Sequence, residues 1–162
     1  MALWIFRSSV VPAEVVGDCR QLTEDRFDDL CPSFWSARDG EEAVRDLSSL
    51  LPNLESWSPN VSLFGYEGGD RVEVWRESGR IDGVTLKIDC RSPNLELIDA
   101  AEAVALNYRL VFIYERTFEV CAPSDGALRR FILSSANRRM LLDPETWIPH
   151  LAEEVRKRED RG

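Results

Sequence analysis

The chain has 162 residues, 44% of them apolar and 30% charged, which suits one hydrophobic core and is unlike a disordered chain. Its net charge of −9 is concentrated in residues 1–70, where 13 acids face 5 arginines, while residues 71–162 hold 16 acids against 15 bases. An acidic half repels nucleic-acid phosphates and anionic lipid and attracts basic protein surfaces, so the expected partner is another protein, with nucleic acid and membrane set aside. Solubility alone accounts for the same surplus of carboxylates.

Residues 2–6 predict an opening strand that runs toward Val11 and ends at Pro12, which could in turn begin a helix carrying Val15, Val16, Cys19 and Leu22. Thr23 fits the cap of a short helix, with Glu24 and Asp25 in the first turn, Phe27, Leu30 and Cys31 on one stripe, and Pro32 as its stop. Asp39 and Glu42 have capping-box spacing at the head of a second helix, whose Ala43, Val44, Leu47, Leu50 and Leu51 form an apolar stripe closed by Pro52. Residues 53–60 read as a connector holding Trp57. Residues 61–64 resume strand character before a glycine-rich loop over residues 65–70.

The middle of the chain is the clearest part. Residues 71–76 and 81–91 predict two strands of a hairpin turning at Glu77-Ser-Gly-Arg80, the second with Val84, Leu86, Ile88 and Cys90 alternating with Thr85, Lys87, Asp89 and Arg91. Ser92 and Pro93 fit the start of a helix over residues 95–107. That helix could return the chain so that Leu110–Tyr114, apolar throughout, lies parallel to the Val84 strand through a right-handed crossover, in a covered position. Residues 118–121 add strand character, Ser124 fits a cap for a helix with Leu128, Phe131 and Ile132, and Asp143-Pro144 marks a further start, with Pro149 splitting the last helix in two. The expected fold is a single α+β domain: a mixed or mostly antiparallel twisted sheet of about five strands with helices packed against it.

Chemistry-bearing motifs are few. The sole histidine, His150, follows a proline on a helix and suits solvent better than a triad. Cys19, Cys31, Cys90 and Cys121 are widely spaced, without C-x-x-C; Cys90 and Cys121 occupy apolar strand positions and read as small buried hydrophobes. Gly65-Tyr-Glu-Gly-Gly-Asp-Arg71 lacks phosphate-loop spacing and places Glu67 and Asp70 where a phosphate would sit. Asp82, Asp89 and Glu73 could meet across strands as acid and base, but Arg71, Arg76, Arg80, Lys87 and Arg91 share those strands and suit plain ion pairing. Neither a metal nor a cofactor is expected. The apolar runs are far too short to span a bilayer and residues 1–7 carry no basic leader, so the expected location is cytoplasmic.

Taken together, the run Arg80-Ile-Asp-Gly-Val-Thr-Leu-Lys-Ile-Asp-Cys-Arg91, the alanine-bearing helix, the apolar strand, a proline, and the stretch from Leu128 through Ser134-Ser-Ala136 to Asp143-Pro144 resemble small bacterial immunity proteins of polymorphic toxin systems, over roughly residues 55–151. The resemblance implies a compact α+β domain that blocks a toxin's active face without catalysis, and carries no catalytic residue with it. With the acidic N-terminal half it yields a partner-binding set of Asp25, Asp28, Asp29, Asp39, Glu41, Glu42 and Asp46, with Trp35 or Trp57 as the buried anchor against a basic toxin domain. A small hydrolytic enzyme built on carboxylates such as Asp82 and Asp89, or an adaptor subunit of a larger assembly, are the alternatives.

Overall fold

The computed structural model describes residues 4–31, 34–35 and 40–159, without the side chains of residues 150–152, 154–155 and 157–159. In chain order the elements are β1 (Ile5–Pro12), α1 (Ala13–Val16), α2 (Glu24–Leu30), α3 (Glu41–Ser49), β2 (Asn53–Leu54), β3 (Val61–Gly65), β4 (Arg71–Glu77), β5 (Arg80–Asp89), α4 (Leu95–Tyr108), β6 (Leu110–Tyr114), β7 (Glu119–Cys121), α5 (Ala127–Leu133), α6 (Ala136–Leu142) and α7 (Pro144–Glu159). The fold is α+β. Its strands form one sheet of seven, more than the expected five, in the order β2-β3-β4-β5-β1-β6-β7 with every pairing antiparallel.

The sheet departs from expectation at its middle. β5 and β6 do run in the same direction, but β1 lies between them and pairs antiparallel with both. Phe6, Val10 and Val11 explain why: all three are fully buried, so the first strand needs cover on both faces and finds it only inside the sheet. The additional short strand β2 arises within the segment read as a connector, where Asn53 and Leu54 pair with Phe64 and Leu63.

Residues opposite one another in an antiparallel ladder share a face. Phe6, Val10, Val72, Val74, Leu86, Ile88, Phe112 and Tyr114 fill the face that α3 to α6 cover, together with Leu47, Ile98, Ala101, Ala105, Leu128 and Ile132 from those helices. Tyr114 stacks on Phe6 at 4.7 Å, Phe131 of α5 meets both rings edge-on, and the Tyr114 hydroxyl donates to Asn137 Oδ1 of α6. Ala101 and Ala105, both fully buried, let α4 approach the sheet closely.

Several helices begin one or two residues from the position that the local signals predict. Thr23 does cap α2, its Oγ1 accepting from Arg26 N–H. On α4 the cap is Asn94, whose side chain accepts from Leu97 N–H, and Pro93 precedes it, so Ser92 lies too early. The cap of α5 is Gly126 and not Ser124; Gly126 has no side chain to offer, and the buried carboxylate of Glu102, reaching across from α4, accepts from Ser124 N–H at 3.1 Å and Leu128 N–H at 3.0 Å. The α3 cap is Gly40; Asp39, like Pro32, falls outside the described residues. A Cβ at Gly40 would collide with the Trp35 ring, which packs there.

The helix expected after Pro12 is only the single turn α1, ended by Gly17 at φ 58°; the chain then returns to the sheet edge, where Gln21 bridges Glu119 and Leu22 N–H donates to Phe118 O. Conversely, α7 is one helix that runs through Pro149. Proline there removes the N–H that would meet the Glu145 carbonyl in the first turns and leaves the rest of the ladder intact. Asp143 caps it, its Oδ1 accepting from Thr146 N–H. The β4–β5 hairpin turns as expected, with Ser78 at φ 50° and Gly79 at φ 82°, a type I′ turn.

Candidate functional site

The face of the sheet turned away from α4 carries the polar residues of the alternating strands. Glu73 is 5% exposed and its Oε1 lies 2.5 Å from Lys87 Nζ and 2.7 Å from Arg71 Nε. Glu115 Oε2 sits 2.7 Å from Arg7 Nε, and its other oxygen accepts from the Ser9 hydroxyl at 3.0 Å. Asp89 is held by Arg91, whose hydrogen bonds keep its carboxyl below the usual range, and Asp82 is exposed. The carboxylates weighed as acid and base therefore do not converge. Glu73 lies opposite Thr85, four residues along β5 from Asp89, a separation of about 13 Å at strand rise. The carboxyls that do approach each other are Asp70 and Asp89: Asp70 Oδ1 accepts from Asp89 N–H at 2.6 Å, and burial pushes Asp70 up. Asp70 thereby ties the loop before β4 to the end of β5.

The acidic residues separate into two patches. On α3, the Glu41 carboxylate accepts from both terminal nitrogens of the Arg76 guanidinium at 2.5 and 2.8 Å, which holds it below the usual range; Asp46 accepts from the Tyr108 hydroxyl at 2.6 Å, and Glu42 lies 4.0 Å from Arg45. Much of the charge of α3 is thus spent within the molecule. On α2 the position is different. Asp25, Asp28 and Asp29, at i, i+3 and i+4, are exposed and form no ion pair among the described residues. Phe27 fixes this helix by ring contacts with Phe34 and with Phe118, in the turn between β6 and β7, whereas α3 packs on α4 and β4. β4 and β7 are four strand spacings apart, about 19 Å.

The two tryptophans proposed as anchors have opposite fates. Trp35 is 4% exposed and belongs to the core, its ring closed over Gly40, so it is no surface anchor. Trp57 is 71% exposed and meets Trp75 edge-on at 5.5 Å. The structure therefore presents Asp25, Asp28, Asp29 and Trp57, ties Glu41 and Asp46 down, and buries Trp35.

On the helix-covered face a groove of about 500 Å³ opens between α3 and β2–β4, floored by Val44, Leu51, Phe64 and Val74 with the Glu41–Arg76 pair at its side. It contains none of the carboxylates considered for catalysis. All four cysteines are free, with Cys90 and Cys121 buried as expected; burial pushes the Cys121 thiol up to about 12. The described residues hold no group of histidine, cysteine and acidic side chains able to bind a metal, and no helix among them is long and apolar enough to cross a membrane. Sequence reasoning missed Arg7 as a partner of the β5 face, because the alternation within residues 5–12 says which residues share a side and not which strand lies alongside. Comparison with protein-family models, curated proteins and solved structures finds no match to this chain.

Proposed function

We propose that this chain is a non-catalytic binding domain that docks on a cationic face of another protein and occludes it, in the manner of an immunity-type inhibitor meeting a toxin domain. The observation that carries the reading is the exposed carboxylate face of α2, Asp25, Asp28 and Asp29, which meets no cation among the described residues, while on α3 Glu41 is paired with Arg76 and Asp46 lies near Arg45. Uncompensated charge on one face steers encounter with an oppositely charged surface, and an exposed aromatic supplies the apolar contact that holds it. Trp57, propped against Trp75 of β4, is that aromatic; it lies across the sheet from α2, so the partner spans both.

The test is co-expression with the product of each adjacent gene, followed by copurification and a growth assay. A stable one-to-one complex and rescue of growth from a toxic neighbour are expected. Absence of both with every neighbour counts decisively against the reading.

A further inference from the structure

Lys87 stands directly opposite Arg71 on one side and Arg7 on the other, so three cations occupy one rung across three adjacent strands. Like charges placed opposite one another in a sheet repel. Among the described residues only two carboxylates touch the three: Glu73, shared between Lys87 and Arg71, and Glu115 against Arg7. The rung keeps one positive charge in excess on a molecule whose net charge is −9.

The two arginines are also incompletely used. Each Nε is buried and close to its carboxylate, at 2.7 Å, yet neither is aligned to donate a hydrogen bond, and their outer guanidinium nitrogens make no hydrogen bond among the described residues. The Arg7 and Arg71 side chains are 32% and 27% exposed, and Lys87 between them 13%. Two guanidinium forks open to solvent therefore flank a sunken ammonium. Burial lowers the Lys87 pKa, and Arg71 and Arg7 add to that effect against the support of Glu73. An anion seated over the rung would relieve the repulsion and engage the planar forks, which match oxyanion geometry.

We propose that the Arg7–Lys87–Arg71 rung binds an oxyanion, either a phosphate monoester or a carboxylate carried by a ligand. The site lies on the sheet and is independent of the α2 surface, so either assignment can fail without the other. Beyond Glu73 and Glu115, the neighbouring acids do not fill it: Asp89 is occupied by Arg91 and Asp70 by the Asp89 backbone.

The test is an amide-resolved NMR titration of the intact protein with inorganic phosphate and, separately, acetate, at constant ionic strength set by sodium chloride. Saturable shifts centred on β1, β4 and β5 are expected, weakened at least about tenfold in Arg7→Gln and Arg71→Gln and unchanged in Arg80→Gln, on the exposed hairpin turn; tenfold corresponds to 1.4 kcal/mol. Stronger saturation by phosphate assigns a phosphate ester, and stronger saturation by acetate a carboxylate. Should the glutamine variants fail to fold, Arg7→Lys keeps the charge while removing the fork and is expected to weaken binding. A response no different from chloride, or one that survives these substitutions unchanged, overturns the proposal.

Discussion

Asp70 shows how one buried carboxyl can be both a fastener and a cost. Its Oδ1 takes the Asp89 N–H at 2.6 Å, which favours the charged form, but burial outweighs that bond and the Asp89 carboxylate adds to it, so its pKa is raised. A carboxyl that is more basic in the folded chain takes up a proton on folding between the ordinary aspartate range and its own raised value. Stability contributed by this group is therefore present at low pH, is lost as pH rises through that window, and stays lost above it. Asp70→Asn retains an acceptor for the Asp89 amide and removes the charge. Relative to the parent protein, the variant is expected to gain stability as pH rises from about 4 to about 7; urea melts at both ends of that interval check it, and a difference that is constant with pH would show Asp70 to ionise normally. Tyr114 is a contrasting case. Burial pushes its hydroxyl up to about 12, so it remains a neutral donor to Asn137 throughout the physiological range.

Among the secondary-structure elements, the join between α4 and α5 depends on a side chain from a neighbouring helix. α5 begins at Gly126, which cannot cap it, and Glu102 of α4 accepts from the N–H groups of Ser124 and Leu128 instead. Truncation by Glu102→Ala leaves both donors without that acceptor beside a buried site, which costs about 2–4 kcal/mol, and Glu102→Gln, which keeps a carbonyl oxygen, costs less. Chemical denaturation of the two variants checks the order. No local pattern announces such a cap, since the acceptor comes from more than twenty residues away. What is local was legible: the alternation of Val84 to Cys90, the hairpin turn through Ser78-Gly79, the Thr23 cap and the stripe of α3. Pairing was not, because hydrophobic periodicity fixes which face a residue takes and leaves the neighbouring strand open. That is why the insertion of β1 between β5 and β6, and with it the cation rung, became visible only in the folded chain. Trp35 and Trp57 illustrate the same limit at the candidate site, two tryptophans in polar sequence of which one closes the core and one is left outside.

Across the whole molecule, the acidic surplus of the first 70 residues does not form one face. Arg76, paired with Glu41, and Arg45, beside Glu42 and Asp46, offset much of the charge on α3, and the distance between β4 and β7 sets α2 apart from it. If α2 steers a cationic partner, neutralising and then reversing its charge should act on the association step. Asp25→Lys, Asp28→Lys and Asp29→Lys together change the local charge by six units, and are expected to slow association by about tenfold or more at low salt, with the gap narrowing near 0.5 M salt as screening shortens to a few ångströms. The same reversal at Glu42, close to Arg45 on α3, is expected to do much less. Trp57→Ala should act on the other step, speeding dissociation with little effect on association, because a desolvated anchor contributes after encounter. Surface plasmon resonance over a salt series separates the two. Equal slowing by charge changes on α2 and α3 would return the steering role to the whole acidic half, and an unchanged association rate for the triple variant would remove α2 from the mechanism altogether.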